Sequence, residues 1–170
     1  GLDIYNKYEV PLQLEGHFWL QYGLYYANLG NQESAIELLE KSIQAYPNNP
    51  FTIHALAGLK LRFASSQGKS HPRSQQYVRE AVKELEYLDG NSQIRLDHYP
   101  LVTLSISHTK YLLDNEGEKK AKIKAREYFE RLKILQSAIN SIEIDKSITT
   151  LLKFIATNEW DSHMLYSIPS

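Results

Sequence analysis

The 170-residue chain has no cysteine. Disulfides, thiolate zinc sites, cysteine-ligated iron–sulfur clusters and cysteine nucleophiles are therefore excluded. The absence suits a cytosolic protein. An excess of one charge sign is also missing: 19 Lys and Arg stand against 20 Asp and Glu, for a formal net charge of -1 and a pI of about 6.7. That balance is not the composition of a polyanion binder, so neither nucleic acid nor an anionic membrane surface is expected as a partner. No apolar run approaches the roughly 20 residues that cross a bilayer. The opening "GLDIYNKYEV" lacks the charged start and apolar middle of a secretion signal. It begins with Gly1 rather than methionine, as expected of a piece of a longer protein. No alternating apolar–polar segment is long enough to argue for a sheet. Neither a phosphate-binding loop with its lysine nor a dinucleotide glycine fingerprint occurs. No cofactor is expected.

What is present is helical periodicity. With 42% hydrophobic and 23% charged residues, the chain suits one domain with a real core. In "LEGHFWLQYGLYYANL", Leu14 to Leu29, the residues Phe18, Trp19, Tyr22, Tyr25, Tyr26 and Leu29 recur at helical spacing. Gly30 and Asn31 stop that helix. A second is expected over Gln32–Ala45, ended by Pro47, and a third over Pro50–Ala64, with Pro50 in its first turn. The polar break "SSQGKSHPRS" follows. Further helices are expected over Arg73–Leu88, Asp97–Leu113, Lys119–Ala138 and Ile144–Asn158. Asp97 can cap the fifth, and β-branched residues weaken the seventh. In the tail, Trp160, Met164 and Leu165 either pack back or face a neighbour.

The spacing in the first two helices is specific. Trp19 is followed by Tyr22 at three, Gly23 at four and Tyr26 at seven. Ala35 lies twelve beyond Gly23, and Leu39, Ser42 and Pro47 follow Ala35 at four, seven and twelve. This pattern resembles the tetratricopeptide repeat, a unit of about 34 residues with Trp-x2-Leu-Gly-x2-Tyr, then Ala-x3-Phe, then Pro. Tyr22 stands for the usual leucine and Leu39 for the phenylalanine. Gly23 and Ala35 are small where two helices cross, Trp19, Tyr26 and Leu39 fill the space around the crossing, and Pro47 ends the unit.

The resemblance implies an all-α fold: about seven helices in antiparallel pairs, stacked as a short α-solenoid over residues 1–170. The regular unit spans 16–49. Degenerate units follow at 50–90 and 97–138, with a terminal helix at 144–158. About three units are the minimum that holds itself together.

A longer stretch carries a second resemblance. His17–Tyr22 "HFWLQY", the centre Ala35–Ser42, the third helix Pro50–Ala64 and Tyr99–Pro100 look like the C-terminal helical region of large bacterial conflict proteins. There, a sirtuin-like or nuclease effector, or a STAND-type NTPase core, precedes helical repeats. The likeness implies a sensing or regulatory module, with other domains of the parent chain among its partners.

In the repeat family the first helix of each pair lines the inner, concave wall. The positions left free by the signature are His17, Leu20, Leu24, Ala27 and Asn28 on the first unit, and His54, Gly58, Leu61 and Arg62 on the second. Leu20 and Leu24 replace the polar groups of a carboxylate clamp, so an apolar groove for a protein or peptide fits better. That groove is either free or filled by preceding helices of the intact protein. Apolar surface left by missing units also gives the isolated piece a route to a homodimer. Tyr22 and Tyr26 are expected in packing, and Tyr25 at the surface.

The chemistry-bearing residues are scattered. The histidines His17, His54, His71, His98, His108 and His163 form no His-x3-His or His-Glu-x2-His pair, so no metal site is signalled. His98 and His108 are expected to be structural. "KSHPR" reads as a solvated loop and "GEKKAKIKAR" as a charged helix face without the interleaved aromatics of a nucleic-acid binder. The chain is therefore expected to be a non-catalytic interaction module. A stand-alone adaptor is one alternative. The other is a small helical hydrolase or metal-dependent enzyme, which needs three or more buried ionisable groups converging in a cleft.

Overall fold

The computed structural model describes residues 2–91, 93–94 and 97–161, with side chains from Pro11 onward. The described residues form seven helices and no strand: α1 (Leu2–Asn28), α2 (Gln32–Ala45), α3 (Pro50–Gln67), α4 (Ser74–Gly90), α5 (Tyr99–Asn115), α6 (Glu118–Ala138) and α7 (Ile142–Thr157). The expected helices are all there, with ends that move by no more than two residues except at α1 and α3. α1 begins at Leu2, twelve residues before the expected Leu14, and runs through Pro11. The expected tail residues Met164 and Leu165, and His163, lie outside the described residues. α3 runs on to Gln67 and stops where Gly68 takes φ 77 and donates its N–H to the Ala64 carbonyl.

The turns follow local chemistry. Asn31 accepts the Ser34 N–H on its side chain and caps α2, and Asn49 accepts the Phe51 N–H at the start of α3. Asp97 accepts the Tyr99 N–H at the head of α5. Ser141 caps α7, whose other end is closed by Asn158 in the left-handed region, φ 64. These short connections make successive helices antiparallel neighbours. α1 packs on α2, α3 on α4 and α5 on α6, while α3–α5 and α5–α7 contacts link alternate helices. This is the stacking of helix pairs expected of a TPR-like solenoid.

α3 sits at the centre. Every residue from Thr52 to Leu61 is buried. A helix that is apolar around most of its circumference has neighbours on every side. Ala55, Leu56, Leu59 and Phe63 join one core with Leu20, Ala35, Ile36, Leu39 and Tyr77. Ala57 and Leu61 join a second core built with α4 to α7, around Leu85, Leu104, Ala125, Leu132, Leu151 and Phe154. Trp160 packs edge-on against Phe154, ring centres 5.7 Å apart, so it packs back on the fold.

Candidate functional site

The repeat signature is a close crossing of α1 and α2. A methyl group added at Gly23 would collide with Leu39 Cδ1 and come within 3.2 Å of the Ala35 carbonyl oxygen and 3.3 Å of Leu38 Cβ. At Gly16, about two turns earlier, it would meet Tyr46 Cβ at 2.9 Å. Ser42 Oγ donates to the Gly16 carbonyl at 2.6 Å, pinning the two backbones beside that glycine. Trp19 is half-buried, with the Lys41 ammonium 4.9 Å from its ring centre. Gly30, φ 84, turns the chain into α2, and Pro47 lies exposed beyond its end. Tyr26 is half-buried, but Tyr22 is exposed, as is Tyr25. Tyr22 departs from the expected packing because no described helix lies on that side of α1.

The concave-face residues divide by depth. His17 and Asn28 are exposed on α1, and Arg62 on α3. Leu20 is buried in the core it shares with Leu56 and Phe63, and Leu24 and Ala27 are half-buried against it. His54, Gly58 and Leu61 are buried, Leu61 in the core built with α4 to α7. His54 Nε2 lies 3.2 Å from Thr103 Oγ1 of α5. Burial holds its imidazole down at about 4, with Asp97 pulling weakly the other way.

The other histidines each have a packing partner where they are described within the core. His98 Nε2 meets Ser141 Oγ at 3.2 Å, tying the head of α5 to the cap of α7. His108 Nδ1 meets the Tyr128 hydroxyl at 2.8 Å between α5 and α6. Burial lowers the His108 imidazole and raises the Tyr128 phenol, the latter helped by Glu86 and Asp89. His71, in "KSHPR", stands edge-on to Phe63 with ring centres 4.9 Å apart, and Lys69 pairs with Asp114 at 2.9 Å. The lysines of "GEKKAKIKAR" pair along their own helix, Lys120 with Glu116, Lys122 with Glu118 and Lys124 with Glu127.

Sequence reasoning missed one ionisable cluster. Lys60 is buried on α3 between Glu84, with which it forms a short ion pair, and Glu80 at 3.0 Å. Burial raises the Glu84 carboxyl to about 7 against the pull of Lys60, with Glu80 and Glu40 adding to the rise. Burial works against the Lys60 ammonium, yet the two carboxylates hold it above its ordinary value. The signal was the helical pitch itself: a lysine in the middle of an apolar helix, facing Glu80 and Glu84 one turn apart on the next. Glu84 and Lys60 line one side of a groove of about 540 Å³ whose wall includes Ile43, Ile53 and Tyr87. The three groups engage one another across the α3–α4 contact. Lys60 is fully buried and Glu80 is partly exposed at the rim, while Glu84 is mostly buried, 22% exposed, with its Oε2 shut off from solvent. Among the described residues no three His, Asp or Glu side chains gather as metal ligands, and no helix is long and apolar enough to cross a membrane.

No curated protein and no solved structure matches the chain. Residues 17–59 match the family model of the tetratricopeptide repeat, a unit that generally mediates protein–protein interaction and is typically non-catalytic.

Proposed function

We propose that this chain is a non-catalytic interaction module that binds a protein or peptide along the concave side of α1 and the exposed Arg62 position of α3. His17, Asn28 and Arg62 supply the surface groups. Leu24 and Ala27 form its half-buried base, and Leu20, His54 and Leu61 hold that base from beneath. The supporting observation is the repeat match over residues 17–59. In such a unit the signature residues are consumed in packing and the remaining face is left for a partner. The resemblance to bacterial conflict proteins extends the reading. On it, the module is a sensing or regulatory part of a larger bacterial, cytoplasmic defence protein, and other domains of that chain are among its partners.

The test is capture of partners by the immobilised chain, compared with the triple variant His17→Glu/Asn28→Lys/Arg62→Glu and with Ile134→Glu on α6. Loss of the same partners from the triple variant only, with unchanged helical circular dichroism, is the expected result. Equal recovery by all three forms, or no partner at all, counts against this surface. Leu20→Glu is unsuitable as a probe, because a charge at that core position unfolds the repeat.

A further inference from the structure

Three sides of α1 have different surroundings. Gly16 and Gly23 face α2, and Leu20, Leu24 and Ala27 join the core shared with α3. The third side carries Leu14, Phe18, Tyr22, Tyr25 and Leu29, which are 65%, 58%, 40%, 58% and 62% exposed. At 3.6 residues per turn these five fall within about 80° of the helix circumference. They form one stripe, and no described residue covers it.

The stripe is already ordered. Phe18 stacks on Tyr22 with ring centres 5.8 Å apart, Tyr22 stands edge-on to Tyr26 at 5.1 Å, and Tyr25 edge-on to Tyr26 at 5.9 Å. The Tyr22 and Tyr26 hydroxyls lie 3.4 Å apart, so each has a polar partner at the rim. Side chains held this way lose little freedom when a partner covers them. Their exposed area is on the order of 600 Å², at the upper end of apolar patches on monomers.

The order of residues along the stripe is its own mirror. Leu14 and Leu29 lie equally far from the midpoint between Gln21 and Tyr22, and so do Phe18 and Tyr25. A second α1 laid antiparallel across it pairs Leu14 with Leu29 and Phe18 with Tyr25, and places the two Tyr22 residues next to the two-fold axis, each half a residue from it. An isologous interface requires this self-complementarity. Two such stripes, fully covered, bury up to about 1,200 Å², the lower edge of the range of stable interfaces. No acidic or basic residue lies within the stripe to oppose its own copy. We propose that the α1 stripe is a homodimer interface, with two copies of this chain crossing antiparallel at Tyr22.

Sedimentation of the chain from about 1 to about 100 µM is the first test, since that range spans the affinities expected of such an area. The expected result is a reversible shift from the 19.6 kDa monomer to twice that mass. Phe18→Glu/Tyr25→Glu is expected to move the midpoint at least tenfold higher with unchanged helicity. The lack of cysteine allows a second test that leaves most of the stripe intact. Tyr22→Cys is expected to form a disulfide-linked dimer on oxidation. Phe18→Cys is expected to do so only when mixed with Tyr25→Cys. A chain monomeric throughout the range overturns the proposal. So does a dimer untouched by the double charge substitution, or one in which Phe18→Cys links to itself as readily as Tyr22→Cys.

Discussion

At Gly23 the fold leaves little room for a side chain, and Gly23→Ala tests that quantitatively. In an open helix the change would stabilise by about 0.8–1 kcal/mol, through helix propensity alone. Here the new methyl group meets Leu39 Cδ1, and Leu39 is fully buried in the first core. Leu39 must leave its rotamer, and the Ala35 carbonyl and Leu38 Cβ leave no alternative space on the other side. Overpacking of this kind costs about 1–3 kcal/mol. The methyl collides with a buried side chain and also crowds a backbone carbonyl, so the upper part of that range applies, about 2–3 kcal/mol. Less the propensity gain of about 1 kcal/mol, the net expectation is destabilisation by about 1–2 kcal/mol, or roughly 2–8 °C in Tm. Leu39→Ala alone leaves a cavity and costs about 2–5 kcal/mol. In the double variant the methyl group added at Gly23 occupies part of that cavity, so the two costs should not add. The double-mutant cycle is expected to return about 1–2 kcal/mol of favourable coupling. Urea unfolding followed by circular dichroism measures all four corners. Gly90→Ala is the control: a methyl there meets nothing within 4 Å, and the change should stabilise by about 0.5 kcal/mol. A Gly23→Ala protein as stable as the parent, or strict additivity with Leu39→Ala, would refute the tight crossing.

His54 and Glu84 set opposing pH dependences. His54 has a folded value near 4 against an ordinary 6.5, so its contribution is intact above pH 6.5 and is lost as pH falls towards 4, by at most about 3 kcal/mol. Glu84 is raised from 4.5 to about 7, so stability is lost as pH rises through that interval, by a similar ceiling. The two largely cancel between pH 4.5 and 6.5. Urea unfolding of Glu84→Gln should therefore gain a stability that rises with pH, and His54→Leu one that falls; slopes of the same sign would sink the assignment. Lys60→Met strips the cation from between two carboxylates and should cost about 3 kcal/mol at pH 8. It should cost less at pH 5.5, where Glu84 is neutral in the fold, and an equal loss at both values would disprove the pairing. Asn158→Ala places a Cβ without a compensating polar group at φ 64 and should lower stability by about 1 kcal/mol in thermal melts.

The parts of the fold that were legible in the sequence depend on local rules. Gly30, Asn31, Pro50 and Asp97 end or begin helices by backbone chemistry confined to a few residues. The Gly23–Ala35–Leu39 spacing encodes a contact between adjacent helices, and it is realised as a steric fit. What was not legible depends on distant neighbours. Leu2–Gln13 escaped because Pro11 and the mixed polar sequence around it give weak periodicity. The free face assigned to α3 rested on the geometry of a regular repeat. His54, Gly58 and Leu61 are instead buried, His54 against Thr103 of α5 and Leu61 in the core built with α4 to α7, which belong to stretched and irregular units. Lys60 was invisible as a buried charge because its partners sit on α4, some twenty or more residues on.

The two leucine-rich sides of α1 make the same point about function. Leu20 and Leu24 read from sequence as an open apolar groove, and Tyr22 as a packed signature residue. In the fold Leu20 is buried and Tyr22 is exposed. Helical periodicity identifies which residues share a face, but only the position of the next helix decides whether that face is core or surface. α2 and α3 cover two sides of α1 and leave the third uncovered. An aromatic stripe of that size is costly to leave in water at about 25 cal/mol per Å². The same energy that would hold it against another helix is therefore available to a partner. In this chain the side with the most apolar surface is thus distinct from the side that the repeat pattern leaves for peptide recognition. His17 and Asn28 lie along the border between them, so a partner on the concave side and a second copy on the stripe can be separated by substitution: charges at Phe18 and Tyr25 act on one, and charges at His17 and Asn28 on the other.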